Sequence, residues 1–507
     1  MSNITSNRSA LYWLLAILLA GLMGVAVALA TRQSPNTAAM IVFALAVPFA
    51  LLLVPDIEKV GIAIVLLDIP LQMDTYLGYD QSQAIYSATS GFNFSITTLA
   101  LVLLYGHWAL TYLGRWAARK PTGDERAGSF APLKDNKLLQ FALLLPLVYI
   151  GFAVLSYTVA PDPMRVTYEL CILVQSYLAV LYVLTHVRTR QDVLFICGML
   201  MLGLCLAGLI SSGLRVVGQG FNIGFLKGRV DNDWQGLRVG GTVGSPNSSA
   251  GYFTFAMSLA GGLLLAKVSR WLKVISVGGL VFGGIGLIVS LSRGGWITLA
   301  IAIAVLLAIG LYRRLVSPKV AVIIVAAVAG ITFIFQDAIV TRLTEDDRGS
   351  AEARVPLNNM AWNMIQDHPF LGVGLNNYDL VMQDYITPDM TGEWVFIVHN
   401  RYLLLWSETG IASVVAFVGV VLLGMVGGWR AIRTKDATLA PIALGAFAGC
   451  CGILFHLSVD IFNGRNITEM LWLVAGLQMI LQAYVNPVQV QSTESDEESD
   501  AVKLKLA

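Results

Sequence analysis

Apolar runs close to 20 residues long, separated by short charged linkers, recur along almost the whole chain. A helix needs about 20 apolar residues to cross the hydrocarbon of a bilayer, and there its backbone must bond to itself. The sequence predicts about 14 spans, near residues 11–30, 38–54, 58–72, 94–114, 138–159, 167–186, 192–212, 247–266, 271–291, 295–312, 319–336, 402–427, 439–461 and 466–485. Charged residues make up 13% of the 507, against about 25% in soluble domains. With a net charge of +1 and no arginine-aromatic cluster, nothing points to nucleic acid. Cys171, Cys197, Cys205, Cys450 and Cys451 all fall inside apolar runs and read as small buried hydrophobes. The run at 11–30 lacks a cleavage signature and reads as a first spanning helix.

Charge orients the spans. With Arg8 inside, alternate linkers are basic: Lys59, then Arg115 to Lys137, Arg188 and Arg190, Lys267 to Lys273, Arg313 to Lys319, and Arg430 to Lys435. Cytoplasmic linkers favour lysine and arginine, so both termini are expected in the cytoplasm. The expected fold is all-α: a polytopic transmembrane helical bundle of about 12–14 spans with one large outer loop containing helices. Three regions are expected: N-terminal helices at 1–200, a core at 201–486, and an acidic tail at 487–507 without fixed structure.

The outer side carries longer segments at 73–93, 160–166, 213–246 and 337–400. The last holds ten acidic residues against Arg342, Arg348 and Arg354, and loops of that length are usually functional. Within it, 351–366 has helical spacing, with Leu357, Met360, Ala361 and Met364 on one face and Pro356 in the first turn. No internal repeat of the transporter kind is present.

Several residues could carry chemistry. Arg293 stands between two apolar runs, where a cation costs at least ~2.5–3.5 kcal/mol at a helix centre and less near the interface, unless something anionic offsets it. Gly294 and Gly295 beside it admit close approach by a ligand or another backbone. Arg354 opens the loop helix, and its planar fork suits phosphate oxygens. Arg238 begins the glycine-rich stretch ending Ser245-Pro246-Asn247-Ser248, where Asn247 or Ser248 could cap the next helix and an anion could sit at its N-terminus. His399 closes the acidic loop and titrates near neutral pH, as a proton acceptor should. Asn400 follows it, and Glu408 lies in the predicted 402–427 span. His456 and Asp460 share a helix face and read as bundle stabilisers. Asp231-Asn232-Asp233 has the spacing of a metal-binding Asp-x-Asp, a pattern common by chance.

Taken in order, Arg238 to Asn247, Ser-Arg293-Gly-Gly-Trp, Arg354 with Trp362, Asp367-His-Pro-Phe-Leu-Gly-Val-Gly-Leu-Asn-Asn-Tyr378 and His399-Asn-Arg-Tyr-Leu with Glu408 resemble the bacterial O-antigen ligase and O-antigen polymerase superfamily. The likeness covers roughly residues 200–480. It implies a C-type glycosyltransferase fold in the bacterial inner membrane, with the active site on the periplasmic face. The implied donor is a glycan on undecaprenyl pyrophosphate, and the acceptor a glycan, lipid A core or protein. The implied roles are His399 as general base and Arg293 and Arg354 on the pyrophosphate; Arg238, Asn247, Asn400 and Glu408 are expected in substrate binding. No cofactor or metal is implied. Ser245 departs from the histidine or asparagine many relatives carry there, which leaves that segment's role open. Ligase action on lipid A core is the expected activity. Repeat-unit polymerase, protein O-oligosaccharyltransferase, a lipid-linked glycan flippase and a non-catalytic scaffold are the alternatives.

Overall fold

The computed structural model describes residues 56–80, 89–117, 136–233, 236–344, 352–386 and 395–484. The expected spans at 11–30 and 38–54, Arg8, Arg348 and the acidic tail lie outside these residues. Helix α1 (Ile57–Leu71) leads into a hairpin of β1 (Asp74–Leu77) and β2 (Phe92–Ser95), then α2 (Ile96–Ala117), α3 (Lys137–Leu155), α4 (Pro163–Thr185) and α5 (Arg190–Val217). A three-stranded antiparallel sheet follows, β3 (Phe221–Ile223), β4 (Leu226–Asp233) and β5 (Gly236–Gly241). Then come α6 (Pro246–Leu265), α7 (Arg270–Val289), α8 (Arg293–Tyr312), α9 (Pro318–Ile334), α10 (Gln336–Thr344) and α11 (Arg354–Asp367). The chain closes with α12 (Arg401–Thr409), α13 (Ile411–Ile432), α14 (Leu439–His456) and α15 (Arg465–Ala483).

Among the described residues, nine helices are long and apolar enough to cross a membrane: α2 to α8, α13 and α14. The chain is a multi-pass helical membrane protein. Helix starts follow side-chain chemistry. Asp162 caps α4 ahead of Pro163, and Thr189 and Asp192 form a reciprocal capping box on α5. Where two helices must touch backbone to backbone, neither carries a side chain. A Cβ on Gly445 of α14 would lie 2.9 Å from the Cα of Gly262 in α6. The two expected outer segments at 73–93 and 213–246 contain the strands, which helical periodicity did not anticipate. Cys197 and Cys450 are buried as expected, but Cys171 is exposed on the bundle's outer face.

Helix α15 is the axle of the bundle, buried from Arg465 to Leu481 despite carrying Asn466, Glu469 and Gln478. Its Arg465 donates to Asp68 Oδ2 at 2.8 Å, and Asp68 also accepts from Thr97 and from the Met73 amide. That network ties α15 to α1 and α2. Buried charge survives here because each oxygen of Asp68 has a donor.

The expected span at 402–427 is two helices. At Gly410 φ is +81°, and a Cβ there would run into the Phe370 carbonyl, so only glycine allows the break. Glu408 therefore sits in the short α12, ahead of the span rather than inside it. The expected loop helix exists as α11, with Leu357, Met360, Ala361 and Met364 buried on one face and Arg354 as its first residue.

Helix order places the basic linkers together at one end. Arg190 pairs with Asp436 at 2.7 Å, and Arg313 donates to the Arg433 carbonyl. The hairpin, the small sheet, α11 and α12 stand at the other end.

Candidate active site

Between α7 and α8 the chain turns in three residues. Leu291 takes φ +51°, a conformation that disfavours a side chain, and Ser292 caps α8 by accepting from the Gly295 amide. The turn presents two carbonyls to arginines arriving from elsewhere in the chain. Arg238 of β5 donates to Ser290 O at 3.1 Å, and Arg342 of α10 donates to Leu291 O at 3.1 Å. Arg238 also donates to Asn247 Oδ1 at 2.9 Å. Ser245, not Asn247 or Ser248, caps α6, which leaves Asn247 for Arg238.

The result is a cavity of about 80 Å³ lined by Arg238, Asn247, Arg293, Arg342 and Arg354, together with Gly294, His456 and Asp460. Among the described residues, four guanidiniums share it with one carboxylate. Asp460 is partly engaged already, since its Oδ1 accepts from the Ile461 amide at 2.7 Å. An arrangement with that excess of positive charge, at the end of a membrane bundle, suits a multiply charged anion. A larger cavity of about 230 Å³ opens among Asp56, Lys59, His186 and Asp192 at the basic-linker end. There Lys59 pairs with Asp56, and no comparable convergence of cations forms.

His399, just before α12, does not line the arginine cavity but lies near enough to Asp460 and Arg354, which do, to feel their charges. Its Nδ1 donates to Ile397 O at 3.1 Å, because a carbonyl can only accept. Nε2 then carries the free lone pair, as a general base requires. Burial holds the imidazole below its ordinary value; the Asp460 carboxylate opposes that and the Arg354 guanidinium adds to it. Burial thus favours the neutral ring.

Of the residues singled out in the sequence, Arg238, Asn247, Arg293 and Arg354 come together and His399 adjoins them. Asn400 and Glu408 do not line the cavity. Asn400 caps α12, accepting from the amides of Tyr402 and Leu403. Glu408 is buried near Arg401, and its carbonyl accepts from Gly374. The motif from Asp367 to Tyr378 is a clamp rather than a pocket wall. Asn376 bonds Thr89 and the Arg165 carbonyl, Asn377 bonds both backbone groups of Asp162, and Leu375 donates to Ser156. Arg165 closes the clamp on Asp379 at 2.7 Å. Asp231 of the Asp-x-Asp triplet pairs with Arg229 within its own strand.

Sequence reasoning missed three residues. Arg342 was one basic residue in an acidic loop, and no spacing tied it to the turn at Leu291. His456 and Asp460 read as bundle stabilisers, yet both face the cavity. Their signal was present: two ionisable groups four residues apart at the outer end of a span.

The fold and the cavity define a multi-pass membrane protein in which four arginines line one cavity at one end of the bundle. Residues 278–418 match the family described as O-antigen ligase, a match that supports the resemblance seen in the sequence motifs. The matched stretch holds Arg293, Arg342, Arg354, the clamp and His399. Arg238, Asn247, His456 and Asp460 join the same cavity from outside it. The family supports a ligase- or polymerase-type role in surface polysaccharide biosynthesis. No curated protein matches the chain.

Proposed function

We propose that the protein is a glycosyltransferase of the bacterial inner membrane. It moves an oligo- or polysaccharide from undecaprenyl pyrophosphate to an acceptor hydroxyl on the periplasmic side, with lipid A core as the favoured acceptor. The observation that carries this reading is the convergence of Arg238, Arg293, Arg342 and Arg354 on one cavity beside a histidine with a free Nε2.

The chemistry follows from those groups. The acceptor oxygen attacks the anomeric carbon, and its proton passes to His399 Nε2. The bond from that carbon to the phosphate oxygen breaks, and both electrons remain on the diphosphate. Arg293 and Arg354 stabilise the charge that builds there, which makes a metal unnecessary. Donors already aimed at developing charge supply most of the rate gain in many enzymes, and general base catalysis adds typically 10²–10⁴-fold. Attack opposite the leaving group inverts the anomeric configuration.

The test is glycan transfer by purified protein in detergent with EDTA, using undecaprenyl-pyrophosphate oligosaccharide as donor. Wild type should transfer, and His399→Ala and Arg293→Ala, at equal folded yield, should not. Transfer by both variants at the wild-type rate would reject the site. Failure of the wild type with every acceptor, alongside movement of lipid-linked glycan between leaflets, would favour a flippase.

A further inference from the structure

Two histidines, His399 and His456, lie within the fields of Asp460 and Arg354, but their rings are held differently. His399 keeps its hydrogen on Nδ1, bonded to Ile397 O, and offers a lone pair. His456, the last residue of α14, is 1% exposed, and its Nδ1 is buried without a hydrogen-bond partner. Its ring lines the arginine cavity, with Phe462 edge-on at 4.7 Å between centroids. On the cavity side Nε2 faces Gly294, where a Cβ would lie only 2.8 Å away.

A neutral imidazole has one hydrogen to place. A buried N–H without an acceptor is rarer in proteins than a buried lone pair without a donor. With Nδ1 orphaned, the hydrogen belongs on Nε2, pointing past Gly294 into the cavity. The charged groups around it are Arg238, Arg293, Arg342, Arg354 and Asp460, and this excess of cations draws an anion toward that N–H.

We propose that His456 is a second working histidine, whose Nε2–H donates a hydrogen bond to the leaving diphosphate. This rests on the transferase reading above. His399 takes the acceptor proton, whereas His456 keeps its own and shares it with the phosphate oxygen that receives the electron pair. Gly294 is the residue that leaves room for the anion in front of that N–H.

The experiment measures kcat and donor KM for full-length protein in detergent, with undecaprenyl-pyrophosphate oligosaccharide as donor. Inhibition and direct binding by inorganic pyrophosphate run in parallel, and thermal unfolding monitors folding. His456→Phe removes the donor and should lower kcat/KM roughly 10–100-fold, the usual worth of a hydrogen bond to a charged group. It should weaken pyrophosphate binding by a similar factor. His456→Gln restores an N–H at about the same reach and should recover most of both. Gly294→Ala leaves the imidazole in place but sets a methyl against Nε2, and should reproduce the loss even if His456→Phe fails to fold. His399→Ala should abolish transfer while leaving pyrophosphate affinity near wild type.

Folded His456→Phe and Gly294→Ala proteins that turn over and bind pyrophosphate like wild type would overturn the proposal while the transferase reading stands. If wild type itself transfers nothing, the transferase reading falls. Pyrophosphate binding then decides the donor role alone: unchanged affinity in both variants rejects it, and loss restored by glutamine supports it.

Discussion

The clamp between the outer loop and α4 should be breakable in a graded way. Arg165 Nη1 donates to both oxygens of Asp379, at 2.7 and 2.8 Å, with both side chains at least nine-tenths buried. Removing one partner of a buried pair costs about 3–5 kcal/mol, because the other charge is left stranded. The two single variants are not equivalent. Asp379→Asn leaves Arg165 with Asp162 at 3.7 Å, so its cost falls near the lower limit, about 3 kcal/mol. Arg165→Met strands Asp379 in a buried region that also holds the acids Glu169 and Glu408, so its cost falls near the upper limit, about 5 kcal/mol. At 1.36 kcal/mol per decade, these costs correspond to roughly 10²-fold and more than 10³-fold faster local opening. Hydrogen exchange reads this directly at the bonded amides of Val373, Gly374, Leu375 and Asn377. The double variant Arg165→Met, Asp379→Leu strands no charge and should regain most of the protection lost by Arg165→Met. Equal exchange in the two single variants, or a double variant no better than Arg165→Met, would refute the idea that stranded charge sets the cost.

Two further outcomes follow from the same geometry. A base held below its ordinary value is active when neutral and loses activity as pH falls through that lowered value. The acid limb of kcat/KM should therefore lie below about 6.5, and Asp460→Asn, which removes the charge that favours the imidazolium, should move it lower still; a limb that moves up would contradict the arrangement. Gly445→Ala puts a methyl 2.9 Å from Gly262 Cα, and with backbone on both sides it should cost about 1–3 kcal/mol, seen as a lower unfolding temperature in detergent; an unchanged transition would mean α6 and α14 part easily.

Nine of the expected spans were legible among the described residues because the bilayer demands one feature, length of apolar helix, and composition reports it directly. Ends were less so. Gly410 splits a run that reads as continuous, since the break depends on Phe370 lying against it, and Phe370 is 40 residues earlier in the chain. The strands at 221–241 escaped notice because glycine and charge interrupt any alternation there. Within the site, Arg293 stood out as a cation where cations are costly, and His399 as the end of the polar loop. Arg342 carried neither signal; its place depends on a carbonyl exposed by the turn at Leu291. Asn400 was read as a ligand because it adjoins His399, yet an asparagine ahead of a helix is first of all a cap.

Charge balance shows why local geometry outranks totals in this protein. The outer loop is strongly acidic, so its sum argues against an anion site. The fold sorts those charges. Asp379 is taken by Arg165, and Asp367 accepts from Tyr385 at 2.7 Å. Meanwhile Arg342 and Arg354, from the same loop, turn into the cavity, where they join Arg238 and Arg293. Solvent and salt screen the exposed carboxylates beyond about 8 Å, whereas partly buried charges facing one another across a small cavity are screened less. The potential at the cavity is therefore dominated by the residues that line it, and a loop acidic in sum still turns two of its arginines toward that cavity.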